Sequence, residues 1–206
     1  MRVGGLSIPK VRLDALTDGV FGVAMTLLVI DLRLPDSFHP QDATELLERI
    51  GELWNQLLVY VVSFYVLGIR WMGMVQLAPR GEEIGESYTR WSLVHLLLVT
   101  FVPFSTMLVG RYITLAPAIW IYAGNTILFA LVAIHMITLA ERGHGHGRQL
   151  EHRIGLIVLI AASMLTLGAS FFIPRWALLF YLFNLVDEPL RWLLRRVSAP
   201  AGGAST

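Results

Sequence analysis

The residues of this chain with chemistry to offer are carboxylates and a guanidinium set inside an apolar run. The segment from Arg12 to Pro35 carries Asp14 and Asp18 near one end and Asp31 and Arg33 near the other, with Thr17, Gly19, Gly22 and Thr26 between them. An ionisable group within a bilayer costs roughly 2.5–3.5 kcal/mol on insertion scales, so it usually faces a bundle interior or water and has a partner. Asp18 lies about 9 Å along a helix axis from Arg12 at ~1.5 Å per residue. Two readings of Asp18 stand side by side: a buried polar anchor that fixes its helix against neighbours, or a group at the membrane surface that helps cap the helix start. Val23, Thr26, Leu27 and Ile30 fall at i, i+3, i+4 and i+7 and share one helix face. On a helix considered alone, such a stripe more often packs or faces lipid. Thr26 on the stripe, and Gly19 and Gly22 one turn away, argue for another use, and periodicity does not decide.

The remaining polar residues are less specific. His95 lies within an apolar run, where a hydrogen-bonded packing histidine is commoner than a proton site. His135 falls late in another apolar run, in an interfacial position. His144 and His146 of Gly-His-Gly-His-Gly, with His152 nearby, have metal-ligand chemistry, but the glycine content favours a solvated linker, and no cysteine or carboxylate completes a ligand set. Glu82, Glu83 and Glu86 read as a solvated cluster. Asp187 and Glu188 are expensive near the end of an apolar run unless paired, and Arg191 is within reach of either. The chain has no cysteine, which excludes thiol chemistry and a disulfide framework. It also has no Ser/His/Asp spacing, Gly-rich phosphate loop or His-Glu-x-x-His, so no enzyme site is expected and no cofactor.

The elements that must position these residues are membrane helices. Of 206 residues, 55% are hydrophobic and 15% charged, well below the roughly 25% charge of a soluble domain. A spanning helix takes about 20 mostly apolar residues, and the pattern predicts six of them, at 13–34, 53–78, 89–110, 116–140, 154–173 and 175–194. The expectation is an all-α integral membrane protein, a single six-helix domain over 1–198 followed by a disordered small-residue tail over 199–206. The first apolar run lacks a small-residue cleavage site and is expected to be retained as a helix. Residues 35–52 read as a loop with a short amphipathic turn of helix. With the N-terminus inside, twelve Lys and Arg fall on the inner side and four on the outer, a bias that predicts both termini to be cytoplasmic. All six tryptophans lie toward span ends, where an indole keeps its N–H near water. A net charge of +1 gives no reason to expect nucleic acid as a partner. The two halves show no sequence repeat of the kind found in duplicated transporters.

The run Arg-Leu-Asp-Ala-Leu-Thr-Asp-Gly-Val-Phe-Gly-Val-Ala-Met-Thr-Leu-Leu-Val-Ile-Asp-Leu, from Arg12 to Leu32, resembles the signature of the transmembrane-protein-175 family, the lysosomal-type potassium channels with many prokaryotic members. That signature is Arg, three residues, then Phe-Ser-Asp. Here it reads Arg12 followed by Leu16-Thr17-Asp18, with the spacing kept and two conservative replacements. His95 in the third span, followed by Pro103-Phe104-Ser105-Thr106, also fits the family. The resemblance implies a homotetramer of six-helix protomers whose first helices line a central pore, with apolar rings and a threonine layer in place of the Thr-Val-Gly-Tyr-Gly filter. Carried over by position, Val23 would form the first ring, Thr26 the threonine layer with potassium passing near it, and Leu27 and Ile30 further constrictions. Arg12, Thr17, Asp18 and His95 would form a structural polar network behind the pore. Val23 is smaller than the residue usual in the family, which predicts a looser first ring.

The sequence thus points to a homotetrameric, potassium-preferring cation channel of the cell membrane, in contact with its own copies and the lipid bilayer. Two rivals differ in kind. A proton-coupled carrier would titrate Asp18 and His95 during transport and show saturating, pH-dependent flux. A membrane scaffold would show no flux.

Overall fold

The computed structural model of the protein describes residues 7–77, 79, 82–141, 149–173 and 177–181. Helix dominates, as a bilayer requires: backbone groups without water must be satisfied within the segment. The described elements are strand β1 (Ile8–Pro9), helix α1 (Lys10–Leu27) continued by a 3-10 turn at Leu28–Asp31, α2 (Ala43–Glu52), α3 (Trp54–Leu77), strand β2 (Glu83–Ile84), α4 (Glu86–Arg111), α5 (Ala116–Glu141), α6 (Gln149–Ser170) and a 3-10 turn at Leu178–Tyr181. Five helical stretches are long and apolar enough to cross a membrane: Lys10–Asp31, Trp54–Gln76, Glu86–Arg111, Ala116–Ala140 and Arg153–Ser170. These are the first five expected spans, displaced by at most a few residues. The sixth, 175–194, lies outside the described residues apart from 177–181, and so do the tail 199–206, His144, His146, Asp187, Glu188 and Arg191.

Two expectations about the connections need correction. The turn of helix before the second span is the ten-residue α2, capped by Asp42, whose side chain accepts the Glu45 amide at 2.8 Å. Glu45 reaches back to accept the Gln41 amide at 2.7 Å, so two otherwise orphaned donors are satisfied. The third span begins at Glu86, three residues before the expected start at 89, so the charged loop ahead of it is shorter. Within it, Glu83–Ile84 pairs antiparallel with Ile8–Pro9, and the Lys10 amide donates to the Glu82 carbonyl at 2.8 Å.

Helix α4 sits at the centre, against α1, α3 and α5, while α6 packs on α5 and the second 3-10 turn on α6. One apolar core runs through all of them, from Phe21 and Leu28 of α1 through Leu67, Val99 and Ile119 to Leu159 and Tyr181. Gly110 of α4 lies close to α3; a Cβ there would meet Gln56 Cα at 3.5 Å. Such small residues let helix backbones approach in a medium where lipid is as apolar as leucine.

Hydroxyls supply the remaining glue. Thr106 donates to Ser63 at 2.9 Å, and Ser63 and Tyr122 share a hydrogen bond of 3.0 Å, which joins α4, α3 and α5. The Tyr122 ring meets Tyr181 edge-on at 5.1 Å, and Tyr181 donates to Ser163 of α6 at 2.9 Å. Interhelical hydrogen bonds of this kind contribute on the order of 0.6 kcal/mol each in measured membrane proteins.

Candidate pore helix and its anchors

Helix α1 has two unlike faces. Leu13, Thr17, Phe21, Ala24 and Leu28 recur at helical spacing and are buried against α3 and α4. On the other side Val23, Leu27 and Ile30 are 58%, 42% and 59% exposed, and Thr26 is exposed with them. Gly19 and Gly22 open onto space, with no atom within 4 Å of where a Cβ would stand. The structure therefore brings the four stripe residues together on the uncovered face of the first helix.

Thr26 is locally satisfied in an instructive direction. Its hydroxyl lies 3.0 Å from the Gly22 carbonyl and 2.9 Å from the Val23 carbonyl, and donates its single proton to the backbone. The oxygen lone pairs are left free to face outward. An oxygen that has given its proton to the backbone presents the polarity that a cation needs. Thr17, on the buried face, donates to the Leu13 carbonyl at 2.8 Å and makes no hydrogen bond to another helix among the described residues.

Both ends of α1 are tied down. At its N-terminal end stand the β1–β2 pair and the Lys10–Glu82 backbone bond, with Lys10 and Asp14 3.6 Å apart. One turn further on, the Trp71 indole of α3 donates to Asp18 at 2.7 Å. At the far end Asp31 pairs with Arg111, the last residue of α4, at 3.1 Å. Helices α1 and α4 thus run parallel, joined at both extremities. Neither Trp71 nor Arg111 was singled out by sequence as a partner, since each lies more than fifty residues from the carboxylate it binds.

Among the described residues, no hydrogen bond or ion pair joins Arg12, Thr17, Asp18 and His95 to one another. Arg12 is exposed and makes no hydrogen bond or ion pair among the described residues. Six residues at ~100° each set Arg12 and Asp18 about 120° apart around the helix, so the two cannot share a face. His95 is fully buried, yet neither ring nitrogen has a hydrogen-bond partner among the described residues. Its ring stacks on Phe129 of α5 at 4.4 Å and lies 6.2 Å from Phe21 of α1. It acts as the middle of three rings that carry packing from α1 through α4 to α5. His135, expected at an interface, packs against Trp91 at a ring distance of 4.5 Å.

This arrangement defines a multi-pass membrane protein whose first helix is clamped at both ends and bare along one polar-containing stripe. The family model described as "Endosomal/lysosomal potassium channel TMEM175" matches residues 12–103, a stretch that holds Arg12, Asp18, the whole stripe and His95. Over that stretch, somewhat less than half of the chain, the sequence is similar to the TMEM175 family. It is 32% identical over 102 residues to a protein of Streptomyces collinus named as a potassium channel, covering 50% of this chain and 48% of that one. It is 30% identical over 124 residues to a potassium channel of Chamaesiphon minutus, covering 59% of this chain and 61% of that one. These matches thus span about half to three fifths of the relatives' length. The fold is that of the crystal structure of a lysosomal potassium-selective channel TMEM175 homolog from Chamaesiphon minutus, with a TM-score of 0.74 and 23% identity over 88% of this chain and 97% of that one.

Proposed function

We propose that this chain is a potassium-preferring cation channel of the cell membrane, built as a homotetramer with α1 of each subunit facing a central pathway. The observation that carries the reading is the uncovered stripe of α1: one helix face bearing an apolar residue at each step and one hydroxyl layer, on a helix otherwise packed and pinned. Four copies would stack Val23, Leu27 and Ile30 as apolar rings around a Thr26 layer. Rings of that kind block ions by dewetting when narrow and let them pass when wide. Four hydroxyls replace hydration only in part, so selectivity for potassium would be modest. The two relatives named as potassium channels support the choice of ion.

In this reading Asp18 acts through Trp71 and His95 through its flanking rings, so both serve to position the pore helix, with Thr17 and Arg12 in the same inner half. The charge bias favours cytoplasmic termini, which puts the β1–β2 clamp inside and the Asp31–Arg111 pair outside. The test is potassium flux and single-channel recording on purified protein in lipid bilayers. Leu27→Ala and Ile30→Ala should raise conductance and lower selectivity; if both leave conductance and selectivity unchanged, the pore lies elsewhere. Saturating, pH-dependent flux lost on Asp18→Asn would instead favour a proton-coupled carrier.

A further inference from the structure

Helix α2 has a feature that conduction does not use. Leu46, Leu47 and Ile50 lie on one side of it, and Leu53 and Trp54 continue the same stripe at i+7 and i+8. No residue of α2 is buried. Leu47 is 68%, Ile50 49% and Trp54 63% exposed, and Leu46 and Leu53 are half-buried, so the described residues leave most of this face uncovered. The opposite face carries Glu45, Glu48 and Glu52 with the single cation Arg49, which pairs with Glu52 and lies over the Phe38 ring at 5.7 Å. The helix is capped at its start by Asp42 and Glu45, and at its end the Leu53 amide bonds the Ile50 carbonyl at 3.1 Å. It is therefore a formed helix with a sharply two-sided surface.

Covalent geometry fixes where that surface must lie. Only Leu53 separates α2 from α3, which begins at Trp54 and spans the membrane. Consecutive Cα atoms are ~3.8 Å apart, so the last turn of α2 stands within a few ångströms of the level at which α3 enters the bilayer. A tryptophan at that junction is the residue type enriched at headgroup depth. An amphipathic helix held at that depth buries its apolar side at the boundary of headgroups and acyl chains and leaves its charged side in water.

We propose that α2 is an interfacial helix that docks on the lipid surface through Leu46, Leu47, Ile50 and Trp54. Its acidic outer face suits zwitterionic lipid rather than anionic lipid. The inference depends on the membrane-spanning fold alone and holds whether or not the protein conducts. Because the chain has no cysteine, single spin labels can be placed without background. Leu47→Cys, Ile50→Cys, Glu48→Cys and Glu52→Cys would each be labelled with a nitroxide in the full-length chain, reconstituted in phosphatidylcholine vesicles. Collision rates with oxygen, which concentrates in lipid, and with a water-soluble nickel chelate are then compared. The oxygen-to-nickel ratio at positions 47 and 50 should exceed that at 48 and 52 several-fold. Equal ratios at all four positions would put α2 in water and overturn the proposal. Protection of 47 and 50 from both reagents, with dipolar broadening relieved by dilution with unlabelled chain, would assign the face to a second copy and overturn it equally.

Discussion

Replacing Phe21 with alanine removes the ring that joins α1 to the middle of the bundle. Phe21 is buried and faces His95, whose other side is stacked on Phe129. In a water-soluble core the change costs about 3–5 kcal/mol, the lost transfer energy plus the cavity left behind. In a bilayer the separated helices stay in hydrocarbon, so the transfer part largely disappears. What remains is the cavity: roughly 100 Å³ at ~24 cal/mol per Å³, or about 2.4 kcal/mol. Phe21→Leu fills most of that space and should cost about 1 kcal/mol. The assay is reversible unfolding in mixed micelles titrated with sodium dodecyl sulfate, with exposed Leu16→Ala as the control. Phe129→Ala should be non-additive with Phe21→Ala, because both rings rest on the same imidazole. A Phe21→Ala loss no larger than that of Leu16→Ala would refute the three-ring packing of α1 onto α4 and α5.

Two further perturbations test the clamps by the same unfolding assay. Trp71→Phe deletes the donor to Asp18 but leaves a carboxylate that water can reach, so the loss should stay near 1 kcal/mol; a loss above about 3 kcal/mol would mean that Asp18 is desolvated in the assembled protein. Arg111→Gln breaks a partly exposed pair and should cost about 0.2–1 kcal/mol at low ionic strength, with the difference from wild type vanishing in ~1 M salt. A cost that persists in high salt would show that the guanidinium contributes packing rather than charge.

Hydropathy alone located the first five spans, because a 20-residue apolar run between charged gaps has few alternatives in water or lipid. The stripe of α1 was equally legible: Val23, Thr26, Leu27 and Ile30 needed only a period of 3.6. Their exposure was not, since a period cannot tell the packed side of a helix from the bare one. The length of α2 could have been read more fully. Asp42 followed three residues later by Glu45 is a capping signature, and it sits just before the run containing Leu46, Leu47 and Ile50. The β1–β2 pair is only two residues on each strand and includes Pro9, so no alternation announces it. The partners of Asp18 and Asp31 depend on which helices pack side by side, a tertiary fact with no local trace. His95 shows the limit from the other direction. A polar residue in an apolar run invites a hydrogen-bond network, whereas here a flat ring between two phenylalanines uses the imidazole for its shape.

The double fastening of α1 to the two ends of α4 restricts how the first helix can move. A piston stroke along its axis would have to slip the backbone pairing at Ile8–Pro9 and part Asp31 from Arg111 at the same moment. The two fastenings are also unequal: the one at Ile8–Pro9 is main-chain hydrogen bonding, while the one at Asp31 is a half-exposed ion pair on a 3-10 turn. Displacement of α1 is therefore easiest as a swing of its Ile30 end about a hinge at Lys10. Displacement in such a swing falls off steadily from Ile30 toward Val23, so the residue farthest from the hinge travels furthest.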